Sequence, residues 1–319
     1  MTFRSKLQCC LFMGETKSSE EVLLNILAPK VELNSVTPIF ILGAPRTGST
    51  IFYQAVCSAF GLPFISNFTN EFFPSTPIVG LAIQRAIPVE IGFESRFGKT
   101  SGQLQPSEAS AVMGRWFGGG HPSALVSARI LDGMEPHFVA TVAAAEALFG
   151  APLVIKNAWN CFRVPYLAKT LPSARFIWIR RDISAAAKSD LAARYETKGS
   201  SKEWNSATPA NVERLRQLPA TAQVVENQHE FNIAISEALR EHAGGRSYEI
   251  WYEDLIESRD RLLEKISTFL RIRSAAGAKL INIVPPGPPK LSSADESAIA
   301  SYLATHVTRL SPDRYPSLR

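Results

Sequence analysis

The chain has 319 residues, of which 45% are hydrophobic and 20% are charged, and its formal net charge is +5. This is the composition of an ordinary soluble globular protein, and no run approaches the ~18 apolar residues that a membrane span requires. Because the basic excess is mild and lacks a basic–aromatic repeat, we expect an anionic small ligand and no nucleic acid as partner.

The four cysteines have a spacing that is typical of neither a zinc site nor a disulfide framework. They are Cys9, Cys10, Cys57 and Cys161. A reducing compartment is therefore expected, with the cytoplasm as the location. No metal ion is expected.

Short apolar runs predict strands, and helical patterns lie between them. The predicted strands are Pro38–Leu42, Leu62–Ser66, Pro152–Lys156, Arg175–Arg180 and Ser247–Tyr252. The predicted helices are Ser19–Ile26, one that opens at Ser49, Ile78–Ile87, Ser107–Phe117, Glu135–Phe149, Phe162–Leu171, Ile183–Tyr195, Ala210–His242 with a break near Pro219, Leu255–Leu270 and Ala294–His306. Strands that alternate with helices predict a three-layer α/β fold whose central parallel sheet is flanked by helices.

We expect a single domain over residues 1–319, with a core at 36–270 and a C-terminal linker and helix at 285–319. The polar stretch 92–106 is expected to be a loop beside the active site, and 198–209 is a candidate mobile lid.

The stretch Gly43–Thr50, GAPRTGST, links the first strand to a helix. A glycine-bounded loop in this position binds phosphate, because its backbone N–H groups and those of the helix N-terminus point at one anion. The spacing G-x-x-x-x-G matches a Walker A loop, but Ser49 stands where that loop has its lysine, and the cation is Arg46 inside the loop. The alternative interpretation is an ordinary turn in which Arg46 is a solvated charge and Thr50 caps the helix.

Other polar residues follow the predicted strands, where ligands bind to open parallel sheets. Lys156, Arg181 and Tyr252 lie at three strand ends, and Ser189 follows Arg181 by eight residues. That spacing lets a guanidinium and a hydroxyl converge on one phosphate over the start of the helix. The alternatives are an ion pair for Arg181 and a solvent-facing position for Ser189.

Together these motifs resemble the sulfotransferases that use 3′-phosphoadenosine 5′-phosphosulfate (PAPS), especially the bacterial members and the tyrosylprotein enzymes. The resemblance extends from residue 38 to about 270 and implies a P-loop-like fold. It implies that the 5′-phosphosulfate is held by Arg46, Thr47, Gly48, Ser49 and Thr50, the 3′-phosphate by Arg181 and Ser189, with Tyr252 of the YEDL motif beside them and Lys156 near the sulfuryl group. Ile183 replaces the family's proline after Arg-Asp, and the C-terminal Arg-Lys-Gly motif of the cytosolic eukaryotic enzymes is missing.

The resemblance implies a carboxylate as general base, because Ala158 occupies the position of the catalytic histidine of the cytosolic eukaryotic enzymes. Glu108 is preferred, since PSEASAVMGRWF resembles a Pro-x-Glu segment of some bacterial members. Glu71, placed like the glutamate of the tyrosylprotein enzymes, and His121 are the alternatives. Any acid in the first turn of a helix is also stabilised by the helix dipole, whatever its function.

The expected activity is transfer of a sulfuryl group from PAPS to an acceptor hydroxyl or amine, with a carbohydrate or small metabolite as acceptor. A P-loop kinase or NTPase and a non-catalytic nucleotide-binding protein are the alternatives. The sequence leaves the oligomeric state open.

Overall fold

The computed structural model describes residues 16–30, 32–96, 98–119, 128–204, 206–273, 287 and 289–318. Among them the strands are β1 (Ile39–Leu42), β2 (Ser95–Arg96), β3 (Lys99–Thr100), β4 (Val154–Lys156), β5 (Arg175–Arg180) and β6 (Ser247–Trp251). Four of these form a parallel sheet in the order β4-β1-β5-β6, and β2 and β3 form an antiparallel hairpin. The expected parallel α/β sheet is therefore confirmed.

Helices cover both faces of the sheet. They are α1 (16–27), α2 (Ser49–Phe60), α3 (Asn67–Phe72), α4 (Pro77–Arg85), α5 (Ser110–Phe117), α6 (Glu135–Phe149), α7 (Val164–Thr170), α8 (Ile183–Lys198), α9 (Val212–Leu215), α10 (Ala220–His242), α11 (Tyr252–Glu257), α12 (Arg259–Leu270), α13 (Ser293–Thr305) and α14 (Val307–Leu310). In the described part of the chain, no helix is both long and apolar enough to cross a membrane.

The alternation of side chains along β1 divides the core between the two faces of the sheet. Phe40 and Leu42 belong to one buried cluster, and Ile39 and Ile41 belong to the other. Successive strand residues point to opposite faces, so a strand covered on both sides needs apolar residues at every position. This explains the continuous run IFIL, all of which is buried.

Three sequence-based elements differ from the structure in kind, apart from shifts in helix ends. The expected strand Leu62–Ser66 makes only isolated bridges in the described chain, from Phe64 to Val154 and from Ser66 to Pro106. Pro63 lies in this stretch, and a proline has no N–H to donate to a ladder. The expected helix Leu255–Leu270 is two helices, α11 and α12, that meet at Ser258, whose backbone is not helical (φ −144°).

The third difference is the stretch 92–106, expected to be a loop, which contains the β2–β3 hairpin.

The break near Pro219 is confirmed, because α9 ends before it and α10 begins after it. Cys9, Cys10, His121 and most of the linker 285–289 lie outside the described residues.

Candidate functional site

The phosphate-loop sequence folds into a tight turn between β1 and α2. Arg46 and Gly48 both have left-handed backbone conformations, with φ of 69° and 83°. A Cβ on Gly48 would lie 2.2 Å from the Tyr252 ring, so the tyrosine packs directly on the loop backbone. Glycine is needed here for both its conformation and its lack of a side chain.

Residues from distant parts of the chain brace this loop from beneath. Gln228 of α10 donates a 2.7 Å hydrogen bond to the Pro45 carbonyl oxygen. The Sγ of Cys161 lies 3.4 Å from both the N and the O of Gly43. Because burial raises the pKa of Cys161 to about 12, this group stays a thiol. Sequence reasoning missed Gln228 and Cys161, since neither belongs to a local motif.

The Thr47 side chain is also part of this internal bracing. It is 1% exposed and its Oγ1 donates to the Ala44 carbonyl oxygen at 2.8 Å. The sequence had placed Thr47 among the residues that face the donor. The structure uses its hydroxyl to close the loop.

The cations predicted from separate strand ends converge above the loop. Arg46 Nε donates to Ser189 Oγ at 3.2 Å, and Arg181 donates to the Arg46 carbonyl oxygen at 3.1 Å. The Arg181 guanidinium lies over the Tyr252 ring, 4.7 Å from its centroid. Arg46, Arg181, Ser189 and Tyr252 are therefore brought together as the sequence predicted.

Burial disfavours the charged form of Arg46 in this group. Desolvation is the main cause that lowers the pKa of Arg46, and repulsion from Arg181 adds to it, while Asp190 and Glu108 oppose the shift. Arg181 Nε is buried without a hydrogen-bond partner in the part of the chain that the structure describes. Buried donors of this kind favour a ligand that accepts hydrogen bonds.

Lys156 and Glu108 meet at the other end of the loop. Lys156 is the last residue of β4, and its Nζ donates to Thr50 Oγ1 at 3.1 Å and to the Glu108 carboxylate. The Lys156 side chain is 6% exposed, whereas that of Glu108 is 33% exposed. A buried ammonium and a partly exposed carboxylate thus flank the start of α2.

Glu108 lies before helix α5, a position that the sequence did not predict. Ser107 does not begin the helix, because α5 starts at Ser110 and Ala109 has a left-handed backbone with φ of 52°. Glu108 therefore precedes the helix instead of lying in its first turn. Stabilisation of Glu108 as a first-turn acid was the alternative interpretation, and this position removes it.

One cleft of about 1270 Å³ contains both ends of the loop. It is lined by Arg46, Gly48, Ser49, Thr50, Glu108, Lys156, Arg181, Ser189 and Tyr252. Glu71 lies in a neighbouring pocket of about 480 Å³, where it accepts a 3.0 Å hydrogen bond from Gln103. The two pockets share Asn67, Asn70 and Thr100, with Glu108 lining the first and Glu71 the second.

Two further segments border the cleft. Gly98 of the β2–β3 hairpin accepts a 3.4 Å hydrogen bond from Thr50, and Arg96 of the hairpin pairs with Glu196 of α8. The stretch 198–209 reaches the cleft through Trp204, whose ring lies against the buried Arg194 guanidinium, 4.4 Å away. Its role as a mobile lid remains a prediction.

The parallel sheet, the glycine loop at the end of β1 and the helices on both faces define a P-loop-like α/β protein with three cations in one cleft. The family model described as the sulfotransferase family matches residues 38–275. The chain therefore belongs to the sulfotransferase family. No curated protein sequence matches it significantly.

Solved structures with a similar fold include other sulfotransferases. Sulfotransferase STF9 from Mycobacterium avium is 14% identical, with 88% of this chain and 70% of that chain covered, at a TM-score of 0.47. A sulfotransferase from Alicyclobacillus acidocaldarius is 12% identical, with coverage of 88% and 98% and a TM-score of 0.47. Mouse sulfotransferase SULT7A1 complexed with PAP is 14% identical, with coverage of 88% and 68% and a TM-score of 0.33. At these low identities and scores, the family assignment rests on the match over residues 38–275.

Proposed function

We propose that the protein transfers a sulfuryl group from PAPS to the hydroxyl or amine of a small-molecule or carbohydrate acceptor. Three cations around one phosphate loop carry this proposal: Arg46, Arg181 and Lys156 line the same cleft, while the Walker lysine position is Ser49. A donor that carries anionic groups at both its 3′ and 5′ positions matches this concentration of cations. A kinase, in contrast, needs a lysine and Mg²⁺ on the β- and γ-phosphates.

The residues present fit such a donor. The Tyr252 ring packs on the loop backbone at Gly48, and the buried Arg181 Nε–H is a hydrogen-bond donor without a partner among the described residues. Arg181 and Ser189 would hold the 3′-phosphate, and Arg46, Ser49, Thr50 and the loop N–H groups would hold the 5′ group. The bound donor would supply the activated sulfuryl group.

The catalytic step would be divided between Lys156 and Glu108. Lys156, fixed by its 3.1 Å bond to Thr50, would stabilise negative charge that develops on the leaving phosphate oxygen. Glu108 would accept the proton that the acceptor group loses. The partial exposure of Glu108 supports this role, because an acceptor must be able to reach the base.

We also propose that the chain forms one domain, with its C-terminal segment packed back on the core. Asp313 pairs with Arg180 at 2.7 Å, and Tyr315 donates to the Asp254 carboxylate at 2.8 Å. Both contacts lie beside the strand ends that carry Arg181 and Tyr252.

Two measurements test the proposed function. In thermal-shift assays, 3′-phosphoadenosine 5′-phosphate (PAP) should stabilise the protein more than ATP with Mg²⁺, and the opposite order would favour a kinase. Sulfur-labelled PAPS should then label members of a panel of phenols, alcohols, amines and glycosides. Binding of PAP without labelling of any acceptor would identify a non-catalytic nucleotide-binding protein.

A further inference from the structure

Two consecutive residues at the end of β4, Lys156 and Asn157, contact Glu108 at different atoms. Lys156 contacts its carboxylate, and Asn157 Nδ2 donates a 2.9 Å hydrogen bond to its backbone carbonyl oxygen. Asn157 is only 1% exposed, so water does not compete for this bond. Its Oδ1 accepts a 3.1 Å hydrogen bond from the Trp159 N–H. The Asn157 side chain therefore caps the turn 158–162 and also binds the Glu108 backbone.

The backbone that carries Glu108 needs such support because its next residue is strained. A left-handed conformation costs a non-glycine residue ~1–2 kcal/mol, and Ala109 adopts it with φ of 52°. Ala109 is 1% exposed within the core, and its N–H donates to Ser107 Oγ at 3.1 Å. Strained backbone persists only where the surroundings fix it. Here the turn separates Glu108 from α5 and leaves its carboxylate against Lys156.

We propose that Asn157 is a positioning residue that fixes the carboxylate of Glu108 for proton transfer. This inference rests on the proposed function, since it takes Glu108 as the general base. Without the Asn157 bond, the Glu108 carbonyl oxygen loses its partner and Ala109 can relax toward the helical region. The carboxylate would then move relative to Lys156, and a shift of about 1 Å can cost about a hundredfold in rate.

The variant Asn157→Ser tests this role, because a serine hydroxyl can still accept from the Trp159 N–H but is too short to reach Glu108. We expect kcat to fall roughly ten- to a hundredfold. The Kd for PAP, measured by calorimetry, should stay at the wild-type value. The defect should be larger for acceptors with less acidic hydroxyls, which depend more on a base. Asn232→Ser, which removes a buried amide bonded to Asp313, is the matched control and should keep wild-type kcat.

A double-mutant cycle separates positioning from a general effect on the fold. In a Glu108→Gln background, adding Asn157→Ser should cost no further activity, because no base remains to be positioned. Losses that multiply in the double variant would overturn the inference. If Asn157→Ser does not fold, Ser107→Ala loosens the same turn from its other side and gives the same cycle.

The outcomes distinguish this inference from the function it rests on. A wild-type protein that labels no acceptor refutes the proposed function, and the inference with it. An active wild type whose Glu108→Gln variant is fully active refutes the base and hence its positioning. An active wild type with an impaired Glu108→Gln variant and an unimpaired Asn157→Ser variant refutes the positioning role alone.

Discussion

Replacing Lys156 by alanine tests the proposed division between residues that bind the donor and residues that act in the chemical step. The ammonium group is nearly buried, with its side chain 6% exposed, and is oriented by Thr50 and Glu108. A preorganised donor in such a water-poor position contributes mainly where charge develops in the transition state. Its loss should lower kcat by about 10²–10³-fold, or about 2.7–4 kcal/mol.

Donor affinity should change far less, because Arg46, Arg181 and the loop backbone remain in place. The fold should also tolerate the change. Glu108 loses its cation, but its side chain is 33% exposed and water can solvate the carboxylate. We therefore expect a melting temperature close to that of the wild type.

Single-turnover transfer of labelled sulfuryl at saturating acceptor measures the chemical step, and calorimetry with PAP measures donor binding. Lys265→Ala, an exposed position on α12, is the matched control. The reasoning is refuted if Lys156→Ala keeps kcat within tenfold of the wild type, or if its whole defect lies in donor affinity.

Three other changes have defined outcomes. Glu108→Gln should lower kcat by about a hundredfold, the usual contribution of a general base, while Glu71→Gln in the neighbouring pocket should stay near the wild type; the reverse result would assign the base to Glu71. Arg181→Ala should lose roughly 1.5–3 kcal/mol of preference for PAP over adenosine 5′-phosphate, about ten- to a hundredfold in the ratio of Kd values, and an unchanged ratio would contradict the 3′-phosphate site. Burial raises the pKa of Glu146 from 4.5 to about 7. Between these two pH values the folded state therefore keeps a proton on Glu146 that the unfolded state releases. Its contribution to stability is therefore complete below pH 4.5 and is lost as the pH rises to about 7. Glutamine does not titrate, so Glu146→Gln should remove this pH-dependent loss of stability, which is at most about 3 kcal/mol. Identical pH dependence of the melting temperature in the wild type and the variant would contradict the raised pKa of Glu146.

Local patterns predicted the parts of the site that lie within one strand–loop–helix unit. The apolar run before Gly43 and the glycines of the loop identify the end of the first strand and its candidate phosphate loop. The spacing from Arg181 to Ser189 identifies a second strand end with candidate ligand-binding side chains. All of these groups do meet in one cleft. The parallel sheet explains the success, because the carboxyl ends of neighbouring strands lie at one edge whatever their order.

The sequence by itself determined the parallel α/β fold and the cationic residues of the loop and strand ends, because hydrophobic periodicity and glycine position act over a few residues. Only the tertiary structure decided the strand order β4-β1-β5-β6, which places Lys156 beside Thr50. It also placed Glu71 in the adjoining pocket and set Glu108 before α5, where Asn157 can reach it. These contacts join residues about 50 or more positions apart, and their geometry depends on how helices pack over the sheet, which no local pattern specifies.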